Sequence, residues 1–324
     1  MEGEKSNIFK NIHIGYKKLL VLNKIMIEVT FLGTSASLPT KSRNHPSIHL
    51  KFRGNSMLFD CGEGTQRQLA IAGISPYKVQ NIFISHLHAD HVLGLGGLIQ
   101  SLSLMKRDGE LHIFGPSGIR RHVNFYVNWD YFEPSYKVIV HQIKKDGVIF
   151  ENKDYSVTAF SVEHTCPCYA FVFEEKKEPN LDKKKLKKLG LLNNPLCRQL
   201  KEGKSIRFRG KVIKPEDVLV KEKHLRKISI VMDANPSKKI VDYVRGSDLL
   251  IMEATFSDVI KEKAHDYGHM TARDAARIAK EAEVKQLILT HFSPRYEDVK
   301  ILKKEAKQIF RNTEVAEDFM KLSV

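Results

Sequence analysis

The chain has 324 residues, of which 42% are hydrophobic and 28% are charged, and its formal net charge is +15 at pH 7. This composition fits a globular protein with a large core. No apolar run approaches the ~18 to 20 residues that cross a bilayer, and the N-terminus lacks a signal-peptide layout, so we expect no membrane partner. Four cysteines are too few for a disulfide framework, which fits a reducing, cytoplasmic location.

The positive charge is concentrated in one segment of the chain. Residues 176–227 contain 18 Lys or Arg against six Asp or Glu, and residues 1–25 contain five against two, while the remaining residues balance to zero. A dense cluster of cations is typical of a polyanion-binding surface, because each neutralised phosphate releases counterions. A solvated surface arm is an equally good interpretation of the charge alone.

Strand-like and helical patterns alternate along the chain. Short apolar runs predict strands at 27–33, 47–52, 56–60, 81–85, 111–114, 137–143, 155–164, 169–175, 228–233, 248–253 and 286–291. Helical patterns lie between some of them, at about 64–73, 91–107, 117–128, 236–245, 271–283 and 297–310. This order predicts an α/β fold in which two sheets are sandwiched between layers of helices.

Two segments depart from this rhythm. Residues 176–227 are rich in lysine and lack strand alternation, so we predict an insertion between two core strands that projects from the body as a small helical or hairpin piece. Residues 1–25 precede the first strand and are predicted to be an N-terminal extension; Met26 is an alternative start. Residues 26–324 would then form a single domain that carries the inserted arm.

Three histidines and an aspartate crowd into the six positions that follow the predicted strand 81–85: His86, His88, Asp90 and His91. Imidazole nitrogens and carboxylate oxygens are the ligands of zinc at catalytic sites. His86 and His88 can face one ion, while Asp90 and His91 can face a second. Loop polarity alone accounts poorly for this density of ligand-type residues, so we predict a metal site.

Further ligand-type residues close three later apolar runs. His164, Asp233 and His291 each stand at the end of a predicted strand. Because strand ends on one side of a sheet converge, these residues can complete the site that the first cluster begins. Cys166 and Cys168, beside His164, allow a softer metal site, although two ordinary thiols at a strand end are the simpler interpretation.

This order of motifs resembles the metallo-β-lactamase fold superfamily. The resemblance implies a four-layer αββα sandwich and two zinc ions. It implies that one zinc is held by His86, His88 and His164, that the other is held by Asp90, His91 and His291, and that Asp233 bridges both.

Within that superfamily the chain is similar to the tRNase Z family of endoribonucleases from about residue 26 to residue 310. The similar stretches are 31–47, 58–69, 84–98, 289–296, EATF (253–256) and GHMT (268–271). The resemblance implies removal of 3′ trailers from precursor tRNA, which leaves a 3′-hydroxyl on the tRNA and a 5′-phosphate on the trailer. The chain departs from the family pattern at non-ligand positions: Met232, Ala234, Met252, Met270 and Asn194.

The resemblance also implies roles for residues around the metals. Asp90 would act as general base as well as ligand, although a ligand role alone is the alternative. His269 would protonate the leaving oxygen, with Glu253 orienting its ring, whereas without the resemblance both are ordinary surface polar residues. Asp60 ends a strand and is expected to brace a ligating histidine.

Substrate contacts are expected at two places. Lys41, Arg43 and Asn44 have the character of phosphate and nucleotide contacts, and a solvated turn is their alternative interpretation. In the resembling family an arm at the position of residues 176–227 grips the tRNA elbow, which suits recognition of RNA by shape and backbone. The arm of one subunit serves the partner's active site there, so a homodimer is expected.

Two other functions compete with this interpretation. A dinuclear zinc hydrolase of small esters or cyclic phosphodiesters could use the same fold, but a small anion does not require 18 cations spread over 52 residues. An RNA-binding module with a decayed metal site is the non-catalytic alternative. All seven ligand positions are occupied by ligand-type residues, which argues against decay.

Overall fold

The structure, a computed structural model, describes residues 26–129, 131–176, 181–219 and 224–324. The predicted N-terminal extension, residues 1–25, lies outside the described residues. Among the helices that the structure describes, none is both long enough and apolar enough to cross a bilayer.

Strands account for most of the regular structure. In chain order they are β1 (Glu28–Gly33), β2 (Ser47–Phe52), β3 (Asn55–Phe59), β4 (Val79–Phe83), β5 (Leu111–Gly115), β6 (Val138–Gln142), β7 (Gly147–Glu151), β8 (Tyr155–Val162), β9 (Cys168–Glu175), β10 (Ile206–Phe208), β11 (Lys211–Ile213), β12 (Lys227–Val231), β13 (Leu249–Glu253), β14 (Leu287–Thr290), β15 (Thr313–Val315) and β16 (Lys321–Ser323).

The α-helices are short. In chain order they are α1 (Thr65–Ile71), α2 (Ala89–Val92), α3 (Gly94–Leu104), α4 (Ile119–Val127), α5 (Lys183–Leu189), α6 (Cys197–Lys201), α7 (Pro215–Val218), α8 (Lys238–Val244), α9 (Lys261–Asp266), α10 (Ala272–Glu281) and α11 (Lys300–Lys307). Single turns of 3₁₀-helix lie at Pro76–Lys78 and Asp258–Ile260. The capping residue Thr271 opens α10, where its hydroxyl accepts the amide of Asp274 and the Asp274 carboxylate accepts the amide of Thr271.

Two seven-stranded sheets form the centre of the molecule. The first has the spatial order β16-β1-β2-β3-β4-β5-β6, and the second has the order β15-β14-β13-β12-β9-β8-β7. Strands β3 to β6 run parallel, and so do β12 to β15. Aromatic side chains from both sheets, including Phe31, Phe59 and Phe171, fill the space between the sheets.

Helices cover the outer face of each sheet. Apolar residues of α1, α3 and α4 pack against the first sheet, and those of α8, α10 and α11 pack against the second. The molecule therefore has four layers in the order α, β, β, α. The predicted αββα sandwich is confirmed.

The predicted strands and helices correspond to elements of the structure, with boundaries that shift by a few residues. The pattern at 91–107 forms two helices, because α2 ends at Val92 and α3 starts at Gly94. The sequence analysis did not predict β7, β15, β16 or α9. The strands β15 and β16 have three residues each, and α9 has few apolar residues.

The inserted segment has a small core of its own. It leaves the second sheet after β9 and returns at β12, and these two strands pair antiparallel with Glu174 opposite Lys227. Between them lie α5, α6, α7 and the hairpin of β10 and β11. Their buried apolar residues are Leu186, Leu191, Leu200, Ile206, Ile213 and Val218.

Candidate metal centre

The seven predicted ligands lie together at one edge of the two sheets: His86, His88, Asp90, His91, His164, Asp233 and His291. His164 follows β8, Asp233 follows β12 and His291 follows β14. Adjacent parallel strands end at the same edge, which explains why residues far apart in the chain meet here. The amide of Tyr169 donates to the carbonyl of Ser85 over 3.0 Å and joins the two sheets beside the ligands.

The first group of ligand atoms comes from three histidines and one aspartate oxygen. The Nδ1 atom of His88 lies 3.0 Å from Nε2 of His86 and 3.2 Å from Nε2 of His164. The Oδ2 atom of Asp233 lies 3.6 Å from the Nε2 atom of both His86 and His164. Four donor atoms thus surround one point.

The second group uses the other oxygen of Asp233. Its Oδ1 atom lies 3.0 Å from Nε2 of His291 and 3.3 Å from Nε2 of His91. These two nitrogens are 3.2 Å apart, and Oδ2 of Asp90 lies 3.4 Å from His91 Nε2 and 3.6 Å from His291 Nε2. Asp233 therefore presents one oxygen to each group.

These separations fit zinc. A tetrahedral zinc with bonds of about 2.1 Å holds its nitrogen and oxygen ligands about 3.4 Å apart, which is close to the distances in both groups. Within the part of the chain that the structure describes, the buried Oδ1 atom of Asp233 has no hydrogen-bond partner. A buried carboxylate oxygen without a partner is costly, and a cation between the two groups would satisfy it.

The protonation of the cluster also suits a cation. Burial opposes ionisation of Asp233, but the histidines around it, led by His291 and His91, hold its pKa well below the ordinary range. Burial lowers the pKa of His91, but the carboxylates of Asp233 and Asp60 outweigh it and raise that pKa well above the ordinary value. A cation between the two groups would take the place of positive charge on the histidines beside Asp233, as metal binding generally releases protons.

Asp60 braces the ligands of the first sheet. Its Oδ2 atom accepts from Nδ1 of His91 over 2.7 Å and from the hydroxyl of Ser85 over 2.9 Å, and its Oδ1 atom accepts the Ser85 amide over 2.7 Å. The Ser85 hydroxyl also lies 3.0 Å from Nδ1 of His86. Asp60 thus fixes the ring of His91 directly and that of His86 through Ser85.

Glu253 and Thr255 brace the ligands of the second sheet. The buried Glu253 carboxylate accepts the hydroxyl of Thr255 over 2.6 Å and lies 3.2 Å from Nδ1 of His269. Thr255 in turn contacts Nδ1 of His291 over 2.9 Å. Burial opposes protonation of His269, but the charge and hydrogen bond of Glu253 outweigh it and raise the pKa of His269 to about 9.

Backbone geometry supports the ligands His164 and His291 and the bracing residue Asp60. Nδ1 of His164 donates to the carbonyl of Gly268 over 2.8 Å, and a Cβ atom at position 268 would lie 2.7 Å from that nitrogen, so only glycine fits. Asp60 and His291 both have φ of 59°, in the left-handed region that non-glycine residues rarely occupy. Such strained conformations cluster at functional sites, where the surrounding contacts impose them.

Asp90 lies at the mouth of the cluster. Its Oδ2 atom, which faces His91 and His291, also accepts the amide of Ser37 over 2.8 Å. Burial opposes its ionisation, but His291 and His91 outweigh burial and keep its pKa below the ordinary range. The carboxylate is thus ionised and held in a fixed orientation.

The three residues predicted to contact substrate differ in whether their side chains bind the rest of the protein. Lys41 is exposed. Arg43 donates to the carbonyl of Tyr296 over 3.1 Å, and the side-chain amide of Asn44 donates to the carbonyl of Glu63 over 2.7 Å. Arg43 and Asn44 therefore tie their loop to the body of the protein, which the sequence did not reveal.

The sequence analysis missed Ser85, Thr255 and Gly268 as supports of the ligands. A signal was present, since Thr255 lies in EATF and Gly268 lies in GHMT, the stretches that pointed to Glu253 and His269. Their partners could not be read from the chain, because Thr255 reaches a histidine 36 positions away.

The inserted segment presents a basic surface. Lys183, Lys184, Lys185, Lys187 and Lys188 of α5 are all exposed, while Leu186 between them is buried in the small core. The helix thus anchors itself with leucine and turns its lysines to solvent.

Comparisons with known proteins relate this chain to a family and a fold. A family model described as Anti-Pycsar protein Apyc1 matches residues 27–184. A curated protein from Methanothermobacter thermautotrophicus named Ribonuclease Z is 43% identical over 92% of this chain and 97% of its own. The crystal structure of the short form of human tRNase Z has a TM-score of 0.67 and 28% identity, covering 92% of this chain and 99% of that one. The metallo-β-lactamase fold protein YhfI from Bacillus subtilis has a TM-score of 0.67 and 20% identity, covering 92% of this chain and 100% of that one, which speaks for the fold alone.

Proposed function

This chain belongs to the ribonuclease Z family, and from that premise we propose that it is a zinc-dependent endoribonuclease that removes 3′ trailers from precursor tRNA. The tRNA would keep a 3′-hydroxyl and the trailer would carry a 5′-phosphate. The observation that carries the proposal is the placement of Asp233, whose two oxygens face the two groups of ligand atoms.

His86, His88 and His164 would hold one zinc, Asp90, His91 and His291 would hold the other, and Asp233 would contact both. When bound, the two ions would lower the pKa of water and supply positive charge beside the phosphoryl oxygens. The distances within each group and the buried, unpartnered oxygen of Asp233 in the described structure support this assignment.

The chain's own acid and base would move the protons. Asp90 is ionised and held by the amide of Ser37, so it can accept a proton from the attacking water. Glu253 binds Nδ1 of His269 and directs Nε2 away from itself, which places the ring to donate a proton to the leaving 3′ oxygen. Lys41 remains free to contact a phosphate.

The inserted segment would bind the body of the tRNA. Its five exposed lysines on α5 suit contact with a phosphate backbone, which RNA presents whatever its sequence. Its buried apolar residues form a cluster of their own, which would let the segment fold as a separate piece. We therefore assign the segment of about residues 176–227 as a tRNA-binding arm. It would be inserted in a single domain that starts near residue 26.

We also expect a homodimer in the cytoplasm. Tyr126 packs against Gly96, so the C-terminal end of α4 lies beside the start of α3. There Leu93, Phe125 and Trp129 are exposed, a surface that suits contact with a second subunit. All four cysteines are free thiols, as expected of a reducing compartment.

One experiment tests the proposed reaction. Purified protein is incubated with a 3′-extended tRNA, with zinc or with chelator, and the cut and its end groups are mapped. We expect zinc-dependent cleavage that leaves a 3′-hydroxyl on the tRNA body. Cleavage that ignores the chelator would contradict the metal mechanism, and hydrolysis of small esters without tRNA cleavage would favour the small-substrate alternative.

A further inference from the structure

A thiol lies beside the first group of ligand atoms. The Sγ atom of Cys166 and the ligand nitrogens of His86, His88 and His164 all lie within 4.8 Å of one another. Cys166 is half-buried and stands two positions after His164, in the loop between β8 and β9. Neither the acid–base chemistry nor the seven ligands described above use this side chain.

The other three cysteines have different surroundings. Cys168 is buried, and its thiol donates to the carbonyl of Asp233 over 3.3 Å. Cys61 is buried, and burial raises its pKa to about 12. The thiol of Cys197 donates to the carbonyl of Leu191 in the inserted segment. Of the four, Cys166 is the one whose sulfur faces ligand nitrogens.

Little movement is needed to bring this sulfur to a metal. As a fifth ligand beside the three imidazoles and the Asp233 oxygen, a sulfur with a Zn–S bond of about 2.3 Å would lie roughly 3.1 to 3.8 Å from nitrogens bound at about 2.1 Å, for angles of about 90° to 120°. In the structure these separations are at most 4.8 Å. Rotation about the single Cα–Cβ bond of Cys166 can move its sulfur toward the nitrogens. Thiolate is a softer ligand than carboxylate and favours zinc, cobalt or cadmium over magnesium.

We propose that Cys166 is an additional metal ligand of the subsite formed by His86, His88 and His164. The inference rests on the metal centre of the proposed function and adds a sulfur ligand to it. On binding, the thiol loses its proton to solvent and the thiolate sulfur contacts the ion. The added negative charge strengthens retention of the metal at this subsite.

Cobalt substitution tests the assignment with a readout other than catalysis. The full chain is loaded with Co²⁺, and absorption spectra are compared for the wild type, Cys166→Ser, Cys166→Ala and the control Cys197→Ser. We expect a sulfur-to-cobalt charge-transfer band in the near ultraviolet for the wild type and the control, and its loss in both Cys166 variants. The visible ligand-field bands should persist in all four proteins.

Competition with a chelator gives a second measure. Both Cys166 variants should release cobalt from this subsite at chelator concentrations at least roughly tenfold lower than the wild type requires. Loss of a ligand should weaken binding at least as much as loss of a residue that only supports a ligand. Visible bands without a charge-transfer band in the wild type would overturn the cysteine assignment and leave the metal centre intact. Absence of both kinds of band would overturn the metal centre together with this inference.

Discussion

In the candidate metal centre, most of the polar side chains are buried and several are held by a second polar group, whereas in the inserted segment the lysines of α5 face solvent around a small apolar core. His91 is held by Asp60, and His291 is held by Thr255. If α5 contacts a phosphate backbone as proposed, its lysines need no such support, because that contact tolerates many geometries. A site that holds a metal thus requires side chains in fixed orientations, while a surface that would bind a polyanion requires mainly a high density of positive charge.

The largest effect should come from Asp233→Ala, which removes the one side chain shared by both groups of ligand atoms. We expect elemental analysis to find fewer than one zinc per subunit, and kcat/KM to fall by more than the roughly 10⁴-fold that loss of a single acid–base residue causes. Asp242→Ala, a change at an exposed carboxylate of α8, is the control and should keep its metal. Full activity of Asp233→Ala would refute the assignment of the bridging residue.

The second largest effect is expected from a variant that distinguishes proton transfer from metal binding. His269→Ala should lower kcat by roughly 10² to 10⁴-fold while zinc content stays unchanged, because the proposed role of the ring is to donate a proton and not to bind metal. Single-turnover cleavage of a 3′-extended tRNA measures the change. Loss of zinc from this variant would show that His269 is a ligand instead.

A smaller effect should follow from Thr255→Val, which keeps the shape of the side chain and removes the hydroxyl between Glu253 and His291. We expect zinc affinity to fall by roughly 10 to 100-fold, as for other partners of ligating histidines. Titration against a chelator of known affinity measures it. An unchanged affinity would mean that the ring of His291 is held by backbone geometry alone.

The smallest effect on chemistry should come from the inserted segment. The triple change Lys183→Gln, Lys184→Gln and Lys187→Gln should raise KM for precursor tRNA by roughly tenfold and leave kcat nearly unchanged. The slope of log KM against log salt should become shallower by about 0.7 to 0.9 for each phosphate that the variant no longer neutralises. Hydrolysis of a small phosphodiester should not change.

The matched control neutralises three exposed lysines outside the inserted segment, with Lys78→Gln, Lys106→Gln and Lys137→Gln. This variant has the same net charge as the variant of α5. If both raise KM equally, the effect comes from overall charge and the inserted segment is not a specific contact.

The sequence predicted the four layers and placed the ligands at strand ends, because an apolar run followed by a histidine or aspartate is a local signal. It also singled out Asp60, which contacts His91, but it did not predict the contacts of Ser85 and Thr255 with the ligands. Ser85 and Thr255 are ordinary residues in the chain, and their roles come from contacts that only the packed sheets create. Arg43 and Asn44 were predicted to contact substrate. In the structure they donate hydrogen bonds to the carbonyls of Tyr296 and Glu63, contacts that the sequence did not reveal.

The strands on either side of the inserted segment are direct neighbours, with Glu174 opposite Lys227. Topologically the whole insertion is thus one oversized hairpin loop, and closing a longer loop costs free energy that grows only with the logarithm of its length. The segment could therefore be shortened, lengthened or exchanged without changing the register of any strand in the two sheets. If it binds RNA as proposed, such a change would alter which RNA shapes the enzyme accepts.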